Sequence, residues 1–523
     1  MVAGVALFAA SPCAATYLPH ERVPTDDALY RDLERLAARF GATPRFLSSR
    51  PLRRAEALAY LDALAAAWPG AAPTDPAFQR ARRELVVDAP GAVRPFVAAR
   101  GEDGEAAEIS PYISFVYSDD PRNRPKVNRD YRAGGVLSVA FDSSLTLLAD
   151  LYAGTASQGG RGTPNFGTFN ALVEGVDFNT WVDEAYAEAR LGRLRVLAGH
   201  AWLRWGPGRD GTLALSDAAP ALDMLRGEVT AFRSWRTQWF VSLLDPGAET
   251  YLAGHRLEWT PGGAAGTGGR FTAGFTELAR FDGTSQAPLY WMPFVPYSFW
   301  EKRPKSSPAG AIPGDTSGVA LAKNNVLWSA DVAWTPRPGW RVWGEAMVDD
   351  ISFSRDYKPD MIGYQAGVEA RCPARGGRDA WGAAVEYSRV NNFTYSAFHG
   401  HHFAHEGFPL GYVLGPDVAA LGAELSYERG AAWEFRVRGE WRKKGEGAVG
   451  VYYDKPNAGT VSASHFAGVV SRDTRGEFTV AYAPSRALRI EGTAGVARVK
   501  NAEHVTGVVE DFPPLRLRVL YSH

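Results

Sequence analysis

Several features that would identify other classes of protein are missing from this 523-residue sequence. The only cysteines are Cys13 and Cys372, and we expect the first to leave with an N-terminal signal, so no internal disulfide is expected. No uninterrupted apolar run approaches the roughly 18 residues that a membrane-spanning helix needs, which excludes proteins of that kind. Lysine and arginine number 57 against 58 aspartate and glutamate, so no basic surface for nucleic acid is expected.

Motifs of common enzymes are missing as well. No G-x-S-x-G segment occurs, and no Ser/His/Asp arrangement can be assigned from spacing. The glycine-rich stretch WGPGRDG at 205–211 lacks the Lys-Ser/Thr ending of a phosphate-binding loop. Asp349 and Asp350 resemble paired catalytic carboxylates, but without partner residues a solvated rim pair is the simpler interpretation. We therefore expect no enzymatic activity, no cofactor and no metal.

What the sequence does contain is a strict alternation of apolar and charged residues. In WEFRVRGEWRKKG, residues 433–445, an extended chain places Trp433, Phe435, Val437 and Trp441 on one face and Glu434, Arg436, Arg438 and Glu440 on the other. A soluble sheet explains such a strand once or twice, whereas an outer-membrane barrel, with lipid outside and a wet lumen inside, repeats it along the chain.

The alternation does repeat. It returns in YLAGHRLEWTP at 251–261, in the hairpin at 326–350, in FTVAYAPSRALRIEG at 478–492 and in LRLRVLY at 515–521. Three strands end with an aromatic residue two positions before a proline, as a membrane-interface girdle followed by a tight turn requires: Trp259/Pro261, Trp334/Pro336 and Tyr482/Pro484. Roughly 415 residues at about 20 to 25 per strand and connection predict an all-β transmembrane barrel of about 16–18 antiparallel strands.

The beginning of the chain has a different period. Residues 1–15 are typical of a short signal peptide, with a cut after Ala15, although a basic start is lacking. Residues 20–90 then show helical spacing, with an expected start at Thr25 and Asp26 and a stop at Gly41 for the first of about three helices. We expect a small periplasmic α-helical bundle that docks on a barrel formed by residues 105–523.

Two long segments, 283–325 and 391–417, carry many aromatic residues, and by length we place them on the extracellular side. Sugar rings stack their C–H faces on aromatic rings, so we predict that these loops bind polysaccharide; the alternative is that the rings pack on one another to plug the barrel. The predicted contacts in these loops are Tyr290, Trp291, Tyr297, Trp300 and Tyr395.

Two further groups of residues join this prediction. Gly206, Gly208 and Gly211 favour tight turns that hold Trp205, Arg209 and Asp210 at the lumen or outer rim, where plain loop architecture is the alternative. His405 is predicted to contact glycan. Its neighbourhood, HGHHFAHEG at 399–407, could instead bind a metal, although it lacks the helical His spacing of an HExxH site.

An ordered set of segments resembles the Wzi-type capsule-assembly outer-membrane proteins. The set consists of RPLRRAE at 50–56, WGPGRDGTLALSDAAP at 205–220, WGEAMVDD at 343–350, GYQAGVE at 363–369 and GYVLGPD at 411–417. The resemblance runs from about residue 20 to near the C-terminus. One departure is the end of the chain, where Ser522 and His523 follow Tyr521 instead of a final aromatic residue.

The resemblance implies an outer-membrane barrel with a periplasmic helical bundle, acting as a non-enzymatic lectin that holds capsular or extracellular polysaccharide at the cell surface. It implies outer-membrane lipid and polysaccharide as partners, with polysaccharide-export machinery as a further one. The alternative is a general or saccharide-selective diffusion channel, in which the charged strand faces line an open pore. A barrel enzyme acting on lipid or glycan comes third.

Overall fold

A computed structural model provides the coordinates of the protein. It describes residues 18, 20–101, 105–119, 127–141, 144–154, 165–170, 177–262, 267–301, 324–350, 360–397, 400–451 and 465–523. The predicted signal peptide lies outside these residues. Within them, no helix has the length and apolar character that crossing a bilayer requires.

Three helices precede the barrel: α1 (Ala28–Phe40), α2 (Arg54–Ala67) and α3 (Pro76–Leu85). Helix α1 begins after Asp27, one residue later than predicted, because the Asp27 carboxylate accepts a hydrogen bond from the Leu29 N–H at 2.7 Å. It ends at Gly41, whose φ of +67° suits a residue without Cβ. The predicted small α-helical bundle is confirmed.

Within the described residues, eighteen antiparallel strands form a closed barrel. In chain order they are β1 (Ala106–Asp119), β2 (Val127–Phe141), β3 (Leu145–Gly154), β4 (Asp177–Leu191), β5 (Leu194–Ala201), β6 (Leu222–Ala231), β7 (Trp235–Asp245), β8 (Thr250–Trp259), β9 (Phe271–Asp282), β10 (Asn325–Trp334), β11 (Trp340–Asp350), β12 (Met361–Ala374), β13 (Asp379–Val390), β14 (Val418–Arg429), β15 (Trp433–Lys444), β16 (Ser471–Tyr482), β17 (Leu488–Lys500) and β18 (Leu515–Ser522). The barrel closes where β18 pairs with β1, from Leu515 opposite Asp119 to Ser522 opposite Tyr112. The predicted fold class is confirmed at the upper end of the predicted strand number.

The two rims of the barrel differ in their connections. The short-turn rim carries tight turns such as 192–193, 335–339 and 430–432, whereas the connections that begin at residues 202, 283 and 391 leave the strands at the other rim, the long-loop rim. Helix α1 meets the short-turn rim directly, because the Gly339 N–H donates to the Ala38 carbonyl at 2.7 Å. The helices and the long loops therefore lie toward opposite ends of the barrel.

The two faces of the wall follow the predicted alternation. On β15, Val437 is 54% exposed and Trp433 40% exposed, and both point outward. Glu434 and Arg436 alternate with them on the inner face and are each 8% exposed. The register that the sequence predicts for this strand is the one observed.

The inner charges, however, do not line an open wet lumen beside the helices. The three helices and the segment before them lie inside the short-turn half of the barrel and form buried ion pairs with the wall. Arg53 lies 2.8 Å from Glu228, Arg35 lies 2.6 Å from Glu428, and Asp75 lies 3.0 Å from Arg371. Because unpaired buried charges are costly, these pairs specify where the helical module docks.

Candidate functional site in the lumen

The 202–221 connection, between β5 and β6, folds into the lumen instead of staying at the rim. Its residues Arg204–Trp205 pair antiparallel with Ser49–Arg50 of the helical module, and the Gly206 N–H donates to the Ser48 carbonyl at 2.8 Å. We call this segment the inward loop. It joins the helical module to the long-loop half of the barrel, so both halves of the lumen contain polypeptide.

The glycines of WGPGRDG allow close approach inside the lumen. Gly206 and Gly211 have φ values of +130° and +146°, which disfavour other residues. At Gly208 a Cβ would lie 1.8 Å from Nε2 of Gln365 on β12 and 2.0 Å from the Gly211 carbonyl oxygen. The motif therefore serves chain packing within the barrel.

Arg209 and Asp210 fasten the inward loop to the wall. Their backbone N–H groups donate to the Glu386 carboxylate at 2.8 and 2.9 Å. The Arg209 guanidinium pairs with Glu424, and the Asp210 carboxylate accepts a hydrogen bond from Arg438 Nη2 at 2.7 Å. Burial alone would raise the pKa of Asp210, but the Arg438 guanidinium outweighs it and holds that pKa below its usual value.

A polar cavity of about 470 Å³, which we call the upper cavity, lies between the inward loop and the wall formed by β13–β18. Asp210 faces it from the inward loop and Tyr412 from the 391–417 connection. The wall contributes hydroxyl groups and both signs of charge through Ser388, Thr493, Arg438, Arg442, Glu440 and Arg516. Such a mixture of donors and acceptors suits a ligand with many hydroxyl groups.

A second space of about 710 Å³, the lower cavity, lies between the helical module and the wall on the short-turn side. Arg209 and Arg518 are among its lining residues. Arg31, Arg436 and Glu491 line both cavities, so the two spaces adjoin along β15 and β17.

Two arginines that line the upper cavity have no carboxylate close to the guanidinium. Within the described part of the chain, neither Arg31 of α1 nor Arg516 of β18 has a carboxylate within 4 Å. Arg516 is exposed to the cavity, and so its guanidinium is free to donate to a ligand.

The aromatic residues predicted in the 283–325 segment lie elsewhere. Tyr290 and Tyr297 are completely buried against each other, with ring centroids 5.2 Å apart, and Trp291 packs edge-on to Trp239. The two tyrosines therefore present no ring face to a sugar, and this part of the prediction is not supported by their positions. The Trp300 side chain lies outside the described part of the structure.

Trp205 and Tyr395 are also buried. Trp205 packs on Phe240 with centroids 5.4 Å apart. The Tyr395 hydroxyl donates to the Leu213 carbonyl at 2.6 Å and accepts from the Tyr412 N–H at 3.0 Å. Trp205 therefore packs the inward loop against the wall, and Tyr395 joins the inward loop to the 391–417 connection, as the packing alternative predicts.

The histidine-rich stretch lies at the long-loop rim. His405 is half-buried, and burial lowers its pKa despite the nearby Asp223. His401 Nε2 lies 2.8 Å from Asp282, and His402 Nδ1 accepts from the Ala397 N–H at 3.0 Å. Across the described residues, no three His, Cys, Asp or Glu side chains are grouped as metal ligands. His399 lies outside those residues.

Asp349 does not behave as a solvated rim residue. Its carboxylate is buried and accepts a hydrogen bond from the Tyr395 N–H at 2.7 Å. It therefore fixes the 391–417 connection to β11, which corrects the simple rim interpretation for this residue.

Sequence reasoning located Arg209 and Asp210 in a family-typical segment, but it missed the residues that face them. Glu386 and Arg438 contact the inward loop from strands far away in sequence. Their only signal was the charged inner face of each strand, which many other residues share.

Comparisons with solved structures find several similar barrels. Wzi, an outer-membrane protein involved in group 1 capsule assembly in Escherichia coli and described as a carbohydrate-binding β-barrel, superposes with a TM-score of 0.61 at 16% identity, covering 95% of this chain and 98% of Wzi. OprD from Pseudomonas aeruginosa gives a TM-score of 0.41 at 9% identity, covering 81% and 94% of the two chains. A BenF-like porin from Pseudomonas fluorescens gives 0.43 at 11% identity, covering 81% and 99%.

No family model and no curated protein matches the sequence. The likeness to Wzi is one of fold, and it confirms at that level the resemblance predicted from the ordered segments. The chain is a large outer-membrane β-barrel.

Proposed function

We propose that this protein is a non-enzymatic outer-membrane lectin that binds capsular or extracellular polysaccharide and assists its attachment to the cell surface. The observation that carries the proposal is the upper cavity, a polar space within a lumen that also holds the helical module and the inward loop. The fold shared with a carbohydrate-binding barrel supports it.

The upper cavity offers the contacts that saccharides need. Tyr412 and Ser388 supply hydroxyl groups, and Arg442 and Glu440 supply charged donors and acceptors. Arg516 adds a guanidinium that has no carboxylate partner among the described residues, which suits the carboxylate of an acidic sugar or several hydroxyl groups. A site of this size, about 470 Å³, holds a short stretch of a polymer rather than its whole length.

A diffusion channel is the second candidate function, because the upper and lower cavities adjoin. Their shared residues Arg31, Arg436 and Glu491 mark a polar route past the helical module along one side of the wall. In that case the lining charges would select solutes rather than retain a polymer.

Two arginines on the same face of β18 separate these functions. Arg516 lines the upper cavity, and Arg518 lines the lower one. If the upper cavity binds sugar, Arg516→Gln should weaken binding to purified capsular polysaccharides about tenfold or more, since a hydrogen bond to a charged group contributes about 1.5 to 3 kcal/mol. Arg518→Gln is the matched control and should bind like the parent.

Planar-bilayer recordings complete the test. A lectin should give closed behaviour together with polysaccharide binding. Large steady channels whose ion selectivity changes in both Arg516→Gln and Arg518→Gln, without polysaccharide binding by the parent, would instead establish the channel.

A further inference from the structure

Residues 283–301 fold back over the outer wall of the barrel. Leu257 on β8 and Phe275 on β9 are 41% and 47% exposed and face outward. His255 and Glu277 lie on the same outward face, two residues from Leu257 and Phe275 toward the long-loop rim. Glu277 is only 1% exposed, because this segment, which we call the outer-wall flap, covers it.

The Glu277 carboxylate anchors the flap through four donors. Oε2 lies 2.8 Å from His255 Nε2 and accepts from the Tyr297 N–H at 2.9 Å. Oε1 accepts from Trp328 Nε1 at 2.8 Å and from the Ser298 N–H at 3.3 Å. Two donors therefore come from the wall and two from the flap, so the carboxylate ties one to the other.

The outer wall carries small residues beneath the flap, which leave a recess for it. Ala253 and Ala279, at outward positions where large apolar residues are usual, are completely buried beneath it. The Tyr290 ring stacks on Phe281 with centroids 3.9 Å apart and an interplanar angle of 10°. The Tyr297 ring lies over His255 at 4.5 Å. The contact area extends to β7, where Trp291 packs edge-on to Trp239.

The other side of the flap is apolar and uncovered. Residues 287–300 contain no charged side chain. Phe294 is 80% exposed, Phe299 70% and Met292 46%. Since exposed aromatic residues are costly in water, this edge calls for an apolar neighbour.

The position of the anchor identifies that neighbour. Glu277 stands opposite Trp328, six residues along β10 from Trp334 at the short-turn girdle. At about 3.3 Å per residue and a tilt of about 40°, the anchor lies about 15 Å above that girdle, within an apolar band about 25 Å tall. The flap continues the lipid-facing surface formed by Phe275 and Trp328.

We propose that the outer-wall flap is embedded in the outer leaflet, where its exposed edge of Met292, Phe294 and Phe299 contacts lipid acyl chains. The inference is independent of the proposed sugar site, because the flap and the upper cavity lie on opposite sides of the wall. The flap also covers the Glu277 and His255 side chains and keeps both away from lipid.

A spin label at the most exposed flap residue tests this. Full-length protein carrying Cys13→Ser, Cys372→Ser and Phe294→Cys is labelled with a nitroxide and reconstituted in phospholipid vesicles. We expect its collision rate with oxygen to exceed that with an aqueous nickel chelate several-fold. The matched control is Phe232→Cys in the β6–β7 turn, 87% exposed, where the nickel chelate should dominate.

Two results would overturn the proposal. One is a Phe294 label as accessible to nickel as the Phe232 label, which would place the flap in water. The other is strong spin–spin broadening between Phe294 labels that disappears on dilution with unlabelled protein, which would place a second copy there.

The anchor is tested in the same background. Glu277→Gln keeps the side-chain size but weakens the bond to His255 and to the two flap N–H groups, so the Phe294 label should become more mobile and more accessible to nickel. A heat-shift gel must show the barrel intact. An unchanged label signal in an intact barrel would show that Glu277 does not hold the flap on the wall.

Discussion

The inner and outer faces of the barrel wall both carry charged residues, but they accommodate them differently. On the inner face charges are frequent, and many are paired with the helical module or the inward loop, as Glu428 and Arg438 are. On the outer face a carboxylate, Glu277, and its hydrogen-bond partner His255 lie under a flap that covers them. A charge on the inner face needs a partner. A charge on the outer face needs a partner and also a protein segment that shields it, because lipid can neither pair with it nor solvate it.

The largest loss of stability should follow from removing a buried inner-face carboxylate that pairs with several arginines. Glu428 is completely buried and lies 2.6 Å from Arg35, 3.0 Å from Arg80 and 2.6 Å from Arg371. Glu428→Ala leaves three buried guanidiniums close together. We expect it to lower the free energy of unfolding of the helical module by about 3 to 5 kcal/mol, seen as proteolysis of residues 20–90 from an otherwise intact barrel.

The control for this change is an ion pair at the surface of the same module. Asp62 and Arg82 lie 3.4 Å apart and are 61% and 41% exposed. Asp62→Ala should cost about 0 to 1 kcal/mol. If Glu428→Ala were as mild as this control, the inner charges would not position the module.

The outer face should reject a charge that has no cover. Val437 points outward from β15, four residues from the girdle residue Trp433, and no flap lies over it among the described residues. Val437→Arg should cost about 2 to 4 kcal/mol near the bilayer midplane, measured by urea unfolding in vesicles. Phe232→Arg, in a turn beyond the apolar band, should cost little. Equal tolerance at both positions would contradict the register.

The smallest expected effect on stability comes from the buried carboxylate of Glu84. Burial raises the pKa of Glu84, at the end of α3, to about 6, although Arg486 lies 3.3 Å away and opposes the shift. A carboxyl group whose folded pKa is raised favours folding while it is protonated, and this contribution is lost as the pH rises through about 6. Glu84→Gln should therefore gain stability relative to the parent between pH 4 and pH 7.

That gain should be about 1 to 2 kcal/mol, because one pKa unit corresponds to about 1.4 kcal/mol and the side chain is partly solvated. It is measured as the difference between the two proteins in helix unfolding at each pH, so that other titrating groups cancel. A difference that does not change with pH would show that the Arg486 contact compensates the burial fully.

Local patterns predicted the fold well because the relevant physics is local. The alternation of Trp433 to Arg442 fixes which side chains face lipid whatever the neighbouring strand is. Gly41 ends α1 where the sequence predicted a stop. The strand number followed from chain length, since a bilayer sets the length of each strand.

The loops were predicted less well, because their destinations depend on surfaces formed by distant residues. Tyr290 and Tyr297 were expected at the mouth of the barrel, yet they pack on its outer wall. One signal was present: in YLAGHRLEWTP the outward positions include His255 beside Leu257, and a histidine on a lipid-facing strand needs a cover. Nothing in the sequence of the flap itself distinguishes that cover from a plug.

The sequence by itself determined the barrel, the two faces of its strands and the helical module, because periodicity and capping act over a few residues. Only the tertiary structure decided that the inward loop enters the lumen while the outer-wall flap packs on the outside of the barrel. The inward loop carries Arg209 and Asp210, whose side chains form ion pairs with Glu424 on β14 and Arg438 on β15. The flap carries uncharged rings, which find a hollow beneath them at Ala253 and Ala279. The surfaces that these two segments contact form only when distant strands pair, so no local sequence pattern predicts them.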